Sequence, residues 1–179
     1  MGTRKQILGE GPKDAKLVFV GEAPGATEER EGRPFVGEAG QILDGIFIEV
    51  GIVRAEVFID NLCHERPPDN NFEWCYRDPE GQKALTEGLF ALEKTLLSID
   101  PEFVVALGGR ALYCLTGKKG ITKWRGQLLA SHLGPWTGTV IATFHPSYIL
   151  RGASGARSYV THDLLFARKI LLESEEEKV

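Results

Sequence analysis

The residues Lys16-Leu-Val-Phe-Val-Gly-Glu-Ala-Pro-Gly25 decide the fold. They begin with a short apolar run rich in valine, which predicts a strand buried on both faces, and the run stops at Gly21. Residues 56–61, 102–107 and 139–143 form runs of the same character. Because such strands are typical of parallel sheets, the sequence predicts four parallel strands.

Helical patterns separate these runs. Apolar residues recur at helical spacing over residues 39–50, 81–99, 109–115 and 159–172. This alternation predicts a three-layer α/β/α domain with right-handed crossovers, and we expect residues 1–179 to form this one domain. Ligands of such sheets bind beyond the carboxyl ends of the strands. Four residues fall at that edge: Gly21, Asn61, Gly108 and His145.

Composition limits the class of protein. The 179 residues are 42% hydrophobic with a formal charge of −4, which suits a globular protein and argues mildly against one that coats DNA electrostatically. Residues 173–179 hold four glutamates and one lysine, which predicts an acidic, solvated tail. No apolar run reaches the roughly 20 residues that cross a bilayer, and residues 1–11 lack the apolar core of a secretory signal. The three cysteines form no CxxC pair, so we expect a cytoplasmic protein with free thiols.

The loop after the first strand carries two candidate site residues. Glycines on both sides of Pro24 let the backbone approach a ligand, and Glu22 stands where a carboxylate could orient water or steady a developing cation. Phe35 lies in the segment Gly32-Arg-Pro-Phe-Val-Gly37, where an aromatic ring could stack on a base. Each has a structural alternative: a tight turn with a solvated glutamate, and a phenylalanine that packs the loop onto the sheet.

The ends of two other strands carry the remaining candidates. The amide of Asn61 offers a donor and an acceptor, which matches the imide edge of uracil better than cytosine, although asparagine also commonly begins a turn. His145 could hydrogen-bond a carbonyl that becomes negative as a base departs. Ser147 and Arg151 could bind phosphate, and Ile149-Leu150 could wedge into a base stack, whereas alone these apolar residues would more often belong to a core.

Other catalytic motifs and metal sites are disfavoured. The chain has neither the Gly-Lys-Ser/Thr of a Walker A loop nor GxGxxG, which argues against binding of nucleoside triphosphates. No serine lies in GxSxG, and the histidines are scattered without HExxH spacing. The sequence therefore predicts no metal ligands.

Taken together, these motifs strongly resemble those of family 4 uracil-DNA glycosylases. The resemblance implies a four-stranded parallel sheet between helices and the removal of uracil from single- and double-stranded DNA. It runs from about Val18 to Ile170 and rests on segments in the family's order and spacing: Gly21-Glu-Ala-Pro-Gly25, Gly32-Arg-Pro-Phe-Val-Gly-Glu-Ala-Gly40, Asn61 with Arg66-Pro-Pro68, Ala106-Leu-Gly108, Ile121-Thr-Lys-Trp-Arg-Gly126 and His145-Pro-Ser-Tyr-Ile-Leu-Arg151.

The resemblance also implies a role for each site residue. It makes Phe35 the platform for flipped uracil, Asn61 the reader of its edge and His145 the donor to its oxygen. Glu22 takes the position of the water-activating aspartate of other uracil glycosylases, and backbone N–H groups near Ala23 complete the pocket. A sugar cation would form as the uracil anion leaves. We expect the protein to be a monomer. We also expect five of its residues to contact DNA: Arg33, Ser147, Ile149, Leu150 and Arg151.

The chain departs from the family at the cofactor. Family 4 enzymes usually hold a [4Fe–4S] cluster on four cysteines, two in a pair before the first strand and another just before Arg-Pro-Pro. Here residues 1–16 contain no cysteine, and Glu65 takes the position of the third ligand. With only Cys63, Cys75 and Cys114, the sequence predicts no cluster and no other cofactor. The loop 63–79 must then be held otherwise, and its aromatic residues are candidates: Phe72, Trp74 and Tyr76.

Two other functions stay open. A non-catalytic module that binds uracil or damaged DNA would keep the pocket, although it could dispense with Glu22. A hydrolase of free nucleosides would not need the wedge of Ile149 and Leu150 or the phosphate contact of Arg151, because its substrate has no base stack and no strand. The leading hypothesis is a monofunctional uracil-DNA glycosylase of base excision repair.

Overall fold

One mixed sheet lies between layers of helices in the computed structural model, which describes residues 4–178. The strands are β1 (Leu17–Gly21), β2 (Phe58–Asn61), β3 (Phe103–Leu107), β4 (Leu128–Ala130) and β5 (Thr139–Thr143), in the order β2-β1-β3-β5-β4. β2, β1, β3 and β5 pair in parallel. The predicted α/β class is confirmed. Residues 1–3 and 179, which the sequence analysis assigned to the domain and its tail, lie outside the described residues.

The fifth strand differs from the prediction of a purely parallel, four-stranded sheet. β4 pairs antiparallel with β5 and adds an edge of three residues. Only its central Leu129 is buried, and its neighbours are exposed. Such a short alternation gives too little periodic signal to be recognised from sequence.

The four predicted helices are present with small shifts at their ends. They are α2 (Glu38–Val50), α4 (Pro79–Ile99), α5 (Gly109–Thr116) and α8 (Ala156–Glu176). α8 continues to Glu176, so part of the predicted acidic tail is helical. None of the described helices combines the length and apolar character that a bilayer span requires. The short helices are α1 (Ala26–Glu31), α3 (Trp74–Arg77), α6 (Ile121–Trp124) and α7 (Pro146–Leu150), and 3-10 turns span Arg54–Glu56 and Pro68–Asn70.

Apolar side chains alternate between the two faces of the sheet. Val18 and Val104 point to the face that packs against α4 and α5, where Leu92 and Leu112 are fully buried. Phe19 and Val105 point to the opposite face, which is covered by Leu43 and other residues of α2 and α8. Each fully buried side chain of this size contributes about 1.5–3 kcal/mol. The carboxyl ends of four parallel strands are thus fixed at one edge.

The amino-terminal segment, residues 4–10, lies along the outer side of β2. Antiparallel bridges join Gln6 to Glu65 and Glu10 to Ile59. Between them the Ile7 N–H donates to the His64 carbonyl at 2.8 Å, and the Ile7 side chain is fully buried. The segment therefore packs against both the sheet edge and the loop that follows β2.

Candidate active site

A cavity of about 630 Å³ opens at the carboxyl edge of the sheet. It is lined by the loops that follow β1, β2, β3 and β5, as expected for an α/β fold. Among its lining residues are all five that the sequence analysis assigned to catalysis and base binding: Glu22, Ala23, Phe35, Asn61 and His145.

The Phe35 ring forms one wall of this cavity and is 5% exposed. Its centroid lies 5.8 Å from that of the His145 ring, with the planes inclined by 36°. The ring occupies the space that a side chain at Gly21 would need, since an added Cβ would stand 2.3 Å from Phe35 Cζ. Phe35 also has a φ of +52°, a conformation that costs a non-glycine residue strain. Strong local contacts must therefore hold the loop.

Glu28 supplies part of that restraint. The residue is 9% exposed, and its carboxylate accepts hydrogen bonds from the backbone N–H groups of Gly25 (3.1 Å), Val36 (3.1 Å) and Gly37 (2.8 Å). Three such bonds to one carboxylate clamp the segment that carries Phe35. The sequence analysis missed this role, although a glutamate between two glycine-rich segments could have suggested it.

Arg54 restrains the same segment from the other side. Its guanidinium donates to the carbonyls of Pro34 and Phe35, both at 2.9 Å. It also pairs with Asp44 at 2.7 Å and with Glu10 at 3.3 Å. The strained backbone is therefore fixed at the residue before the ring as well as at the ring itself.

Asn61 ends β2 with its side chain 2% exposed. Its Oδ1 is the one buried side-chain nitrogen or oxygen in residues 4–178 that has no hydrogen-bond partner. An unpaired buried acceptor costs about 1–3 kcal/mol. Because Oδ1 belongs to a residue that lines the cavity, a ligand N–H could satisfy it.

Hydrogen bonds orient the His145 imidazole. Nδ1 accepts from the Ser147 N–H at 3.1 Å and lies 2.8 Å from Ser147 Oγ, which in turn accepts from Arg151 at 3.2 Å. Burial lowers the pKa of His145, which favours the neutral ring. With Nδ1 acting as an acceptor, we assign the ring proton to Nε2. Nε2–H is then free to donate.

The Glu22 carboxylate lies beside the histidine. A Cβ added to Gly108 would stand 3.1 Å from His145 Cβ and 3.4 Å from Glu22 Oε1, so both side chains flank this glycine. The other oxygen, Oε2, accepts a hydrogen bond from Arg110 at 3.0 Å. Sequence analysis missed Arg110, whose only signal is its place just after a predicted strand end.

The predicted DNA contacts separate into two groups. Ser147, Leu150 and Arg151 line the mouth of the cavity, and Leu150 is 46% exposed. Ile149 instead packs against the core beneath α2 and α8. Arg33 is not among the residues that line this cavity, and its guanidinium forms two hydrogen bonds to the Glu10 carboxylate, at 2.9 and 2.8 Å.

Comparison with known proteins decides the family. The model of the uracil DNA glycosylase superfamily matches residues 8–165. This chain belongs to that superfamily. It is 41% identical over 170 residues to the type-4 uracil-DNA glycosylase of Thermotoga maritima, which covers 92% of this chain and 82% of that protein. It is 35% identical over 153 residues to the type-4 uracil-DNA glycosylase of Saccharolobus solfataricus, with 82% and 68% covered, and 38% identical over 150 residues to that of Sulfurisphaera tokodaii, with 80% and 65% covered.

The three cysteines of this superfamily member are too few for the four-thiolate cluster that the family resemblance implied. Cys63 and Cys75 are buried side by side, and their hydrogen bond together with burial raises the pKa of Cys75. Cys114 lies apart on α5, where burial raises its pKa to about 11. Glu65, which the sequence analysis assigned to the position of the third ligand, accepts a hydrogen bond from Gln6 at 2.6 Å. Within residues 4–178, no three His, Cys, Asp or Glu side chains are grouped to hold a metal.

Two of the three aromatic residues that the sequence analysis named in the loop 63–79, Phe72 and Trp74, pack with the core. Phe72 is 4% exposed and contacts the Tyr76 ring edge-on at 5.5 Å. Trp74 packs against the core, and the Arg4 guanidinium lies 4.9 Å from its ring centroid. Tyr76 remains 38% exposed, so it contributes less to the packing.

Proposed function

We propose that this protein is a uracil-DNA glycosylase that hydrolyses the N-glycosidic bond of uracil flipped out of DNA. The observation that carries the proposal is the buried, unpartnered Oδ1 of Asn61, a residue that lines the cavity together with Phe35 and His145. The type-4 uracil-DNA glycosylases to which the chain is similar support the same activity.

Base recognition follows from the donors and acceptors in the cavity. Uracil presents an imide N–H between two carbonyls, so Asn61 Oδ1 accepts from N3–H while the amide nitrogen donates to O4. Cytosine presents the opposite pattern, an acceptor at N3 and a donor at position 4. The Phe35 ring stacks on the base, with its loop clamped in advance.

The chemistry divides between His145 and Glu22. As the glycosidic bond breaks, uracil leaves as an anion, and the Nε2–H of neutral His145 donates to its O2, where charge develops. Oε1 of Glu22 orients a water molecule toward the sugar cation and takes up its proton as the new C1′–O bond forms. Removing a donor of this kind costs about 10²–10³ in rate. Backbone N–H groups near Ala23 complete the pocket.

The rim would act on the DNA around the flipped base. Exposed Leu150 inserts into the stack in place of uracil, while Ser147 and Arg151 bind flanking phosphates. Ile149 and Arg33 take no part in this proposal, because the core and Glu10 already engage them. The protein would act as a monomer on both single- and double-stranded DNA.

We also propose that this glycosylase works without the iron–sulfur cluster. The contacts between Gln6 and Glu65 and between Arg4 and Trp74 join the amino-terminal segment to the loop 63–79 directly. Protein produced with iron and sulfide in supply should contain neither and should show no cluster absorption. Four bound irons per chain would contradict this part of the proposal.

The activity is tested with a labelled oligonucleotide that contains one uracil, followed by alkali to reveal abasic sites. A matched thymine strand and the variant Glu22→Gln serve as controls. We expect cleavage only at uracil, and much slower cleavage by Glu22→Gln than by the wild-type protein. Binding of uracil-DNA without cleavage would overturn the proposal in favour of a non-catalytic binding module, and cleavage of free deoxyuridine alone would indicate a nucleoside hydrolase.

A further inference from the structure

Arg110 connects Glu22, a proposed catalytic residue, with the loop 63–79, which has no part in the proposed chemistry. It is the second residue of α5, directly beyond the carboxyl end of β3, and it lines the cavity. One arm of its guanidinium, Nη1, binds Glu22 Oε2 at 3.0 Å. The other arm, Nη2, binds Glu73 Oε1 at 3.2 Å in the loop 63–79.

We propose that Arg110 is the positioning residue that aims the Glu22 carboxylate at the attacking water. This inference rests on the proposed function, in which Glu22 orients that water. Arg110 itself touches neither the base nor the sugar in this assignment.

The asymmetry of the Glu22 carboxylate supports the assignment. Arg110 restrains Oε2, whereas Oε1 lies 3.4 Å from the position of a Cβ built on Gly108 and has no hydrogen-bond donor among the described residues. A glutamate side chain has three rotatable bonds, so without a fixed contact its oxygens would sample several positions. With Oε2 restrained, the free Oε1 stays in one position and can hold a water molecule in a single orientation.

The opposite side of Arg110 is itself fixed. The guanidinium carbon lies 5.0 Å from the Phe72 ring centroid, a cation–π distance, and Phe72 is buried. Glu73 restrains the second arm. Because the Arg110 side chain is 35% exposed, the ion pairs are screened by solvent and act mainly through geometry. The loop 63–79 therefore contributes to catalysis by holding Arg110 in place.

The test compares single-turnover excision rates and DNA affinities of wild type, Arg110→Ala and Arg110→Lys. We expect Arg110→Ala to lower the rate about 10- to 100-fold while the affinity for uracil-DNA changes by less than about twofold. Arg110→Lys, which keeps the charge but loses the two-armed geometry, should be intermediate. Added guanidinium ion should restore part of the Arg110→Ala rate, an effect that loss of folding would not show.

Arg77→Ala is the matched control. Arg77 pairs with the same Glu73 at 3.4 Å, but its side chain is 82% exposed and it has no contact with Glu22. We expect the excision rate of Arg77→Ala to stay within about twofold of the wild-type rate. In a Glu22→Gln background, Arg110→Ala should cost less than about threefold, because the carboxylate it positions is gone.

The results of these experiments distinguish a failure of the Arg110 assignment from a failure of the proposed glycosylase activity. Wild type that fails to excise uracil would contradict the proposed function and the inference with it. If the wild type is active, two results overturn the inference alone: an unchanged rate for Arg110→Ala, or an equal loss in the Glu22→Gln background. An unchanged rate together with lower DNA affinity would make Arg110 a DNA contact instead.

Discussion

The two halves of the cavity are built differently. The pocket floor, Phe35 with Asn61, is buried: Phe35 is 5% and Asn61 2% exposed, and hydrogen bonds from Glu28 and Arg54 restrain the backbone that carries Phe35. The pocket rim, residues 147–151, is open to solvent, with Tyr148 at 40% and Leu150 at 46%. The difference indicates that base recognition is set before binding, whereas contact with the DNA strand is left adaptable.

The largest expected effect is at the floor. Asn61→Ala removes the reader of the uracil edge and should lower the single-turnover excision rate about 10²- to 10³-fold. Because Oδ1 is buried without a partner, its removal should not lower the melting temperature. The two quantities are measured on the same preparation by oligonucleotide cleavage and calorimetry.

Asn71→Ala provides the control for this variant, since Asn71 is exposed and its Oδ1 accepts only the Glu73 N–H at 3.1 Å. It should keep the wild-type rate. A melting temperature that drops in Asn61→Ala, with activity retained, would show that this asparagine serves the fold rather than the base.

Glu28→Gln should affect the rate and the stability together. The glutamine amide offers one acceptor oxygen where the carboxylate receives three N–H donors, so at least one donor faces an NH₂ group. We expect a loss of about 2 kcal/mol in the free energy of unfolding, or about 4–8 °C in melting temperature. Excision should fall less than in Asn61→Ala. Unchanged stability would mean that the floor is not clamped by this carboxylate.

A rim substitution should have a smaller effect that depends on the DNA. Leu150→Ala shortens the proposed wedge without breaking a hydrogen bond, so we expect excision from duplex DNA to fall a few-fold (~3–10). Uracil in single-stranded DNA needs no displacement from a stack and should be excised at the wild-type rate. Leu165→Ala, at a similarly exposed position on α8, is the control. Equal losses on both substrates would exclude a wedging role.

The smallest expected effect is a pH-dependent stability term from His64. Burial alone disfavours its charged form, but the hydrogen bond to Asp60 at 2.8 Å and the charge of Asp60 outweigh this and raise the pKa of His64. The folded-state pKa therefore exceeds the unfolded value of about 6.5. The stabilisation is complete below that value and is lost as pH rises through the folded pKa.

Melting curves of wild type and His64→Gln from pH 6 to pH 9 test this sign. The gap between them should be largest at pH 6, about 2–4 °C, and should shrink toward pH 9. His162→Gln, at an exposed position on α8, should show no such trend. A gap that widens with pH would mean that the neutral ring is the stabilising form.

Sequence alone predicted the features that depend on the spacing of apolar residues and on the order of motifs along the chain. The four parallel strands, the long helices and the family are confirmed, because apolar runs and ordered motifs encode them. The clustering of Glu22, Asn61 and His145 followed from their places at strand ends, whereas the place of Phe35 beside them followed from the family resemblance.

The features that sequence did not predict depend on contacts between side chains that are far apart along the chain. Glu28 and Arg110 act through partners in other loops, and nothing local marks those partners. The orientation of α7, which points Leu150 outward and Ile149 inward, could not be read from five residues, since they span little more than one helical turn.

The course of the amino-terminal segment has a consequence for self-association. β2 is an outer strand of the sheet, and Glu10 exchanges two backbone hydrogen bonds with Ile59, at 3.0 and 2.9 Å. A bare apolar strand edge is a template for pairing with another chain. Residues 4–10 cover this edge, so we expect their removal by proteolysis to lower solubility even where the pocket stays intact.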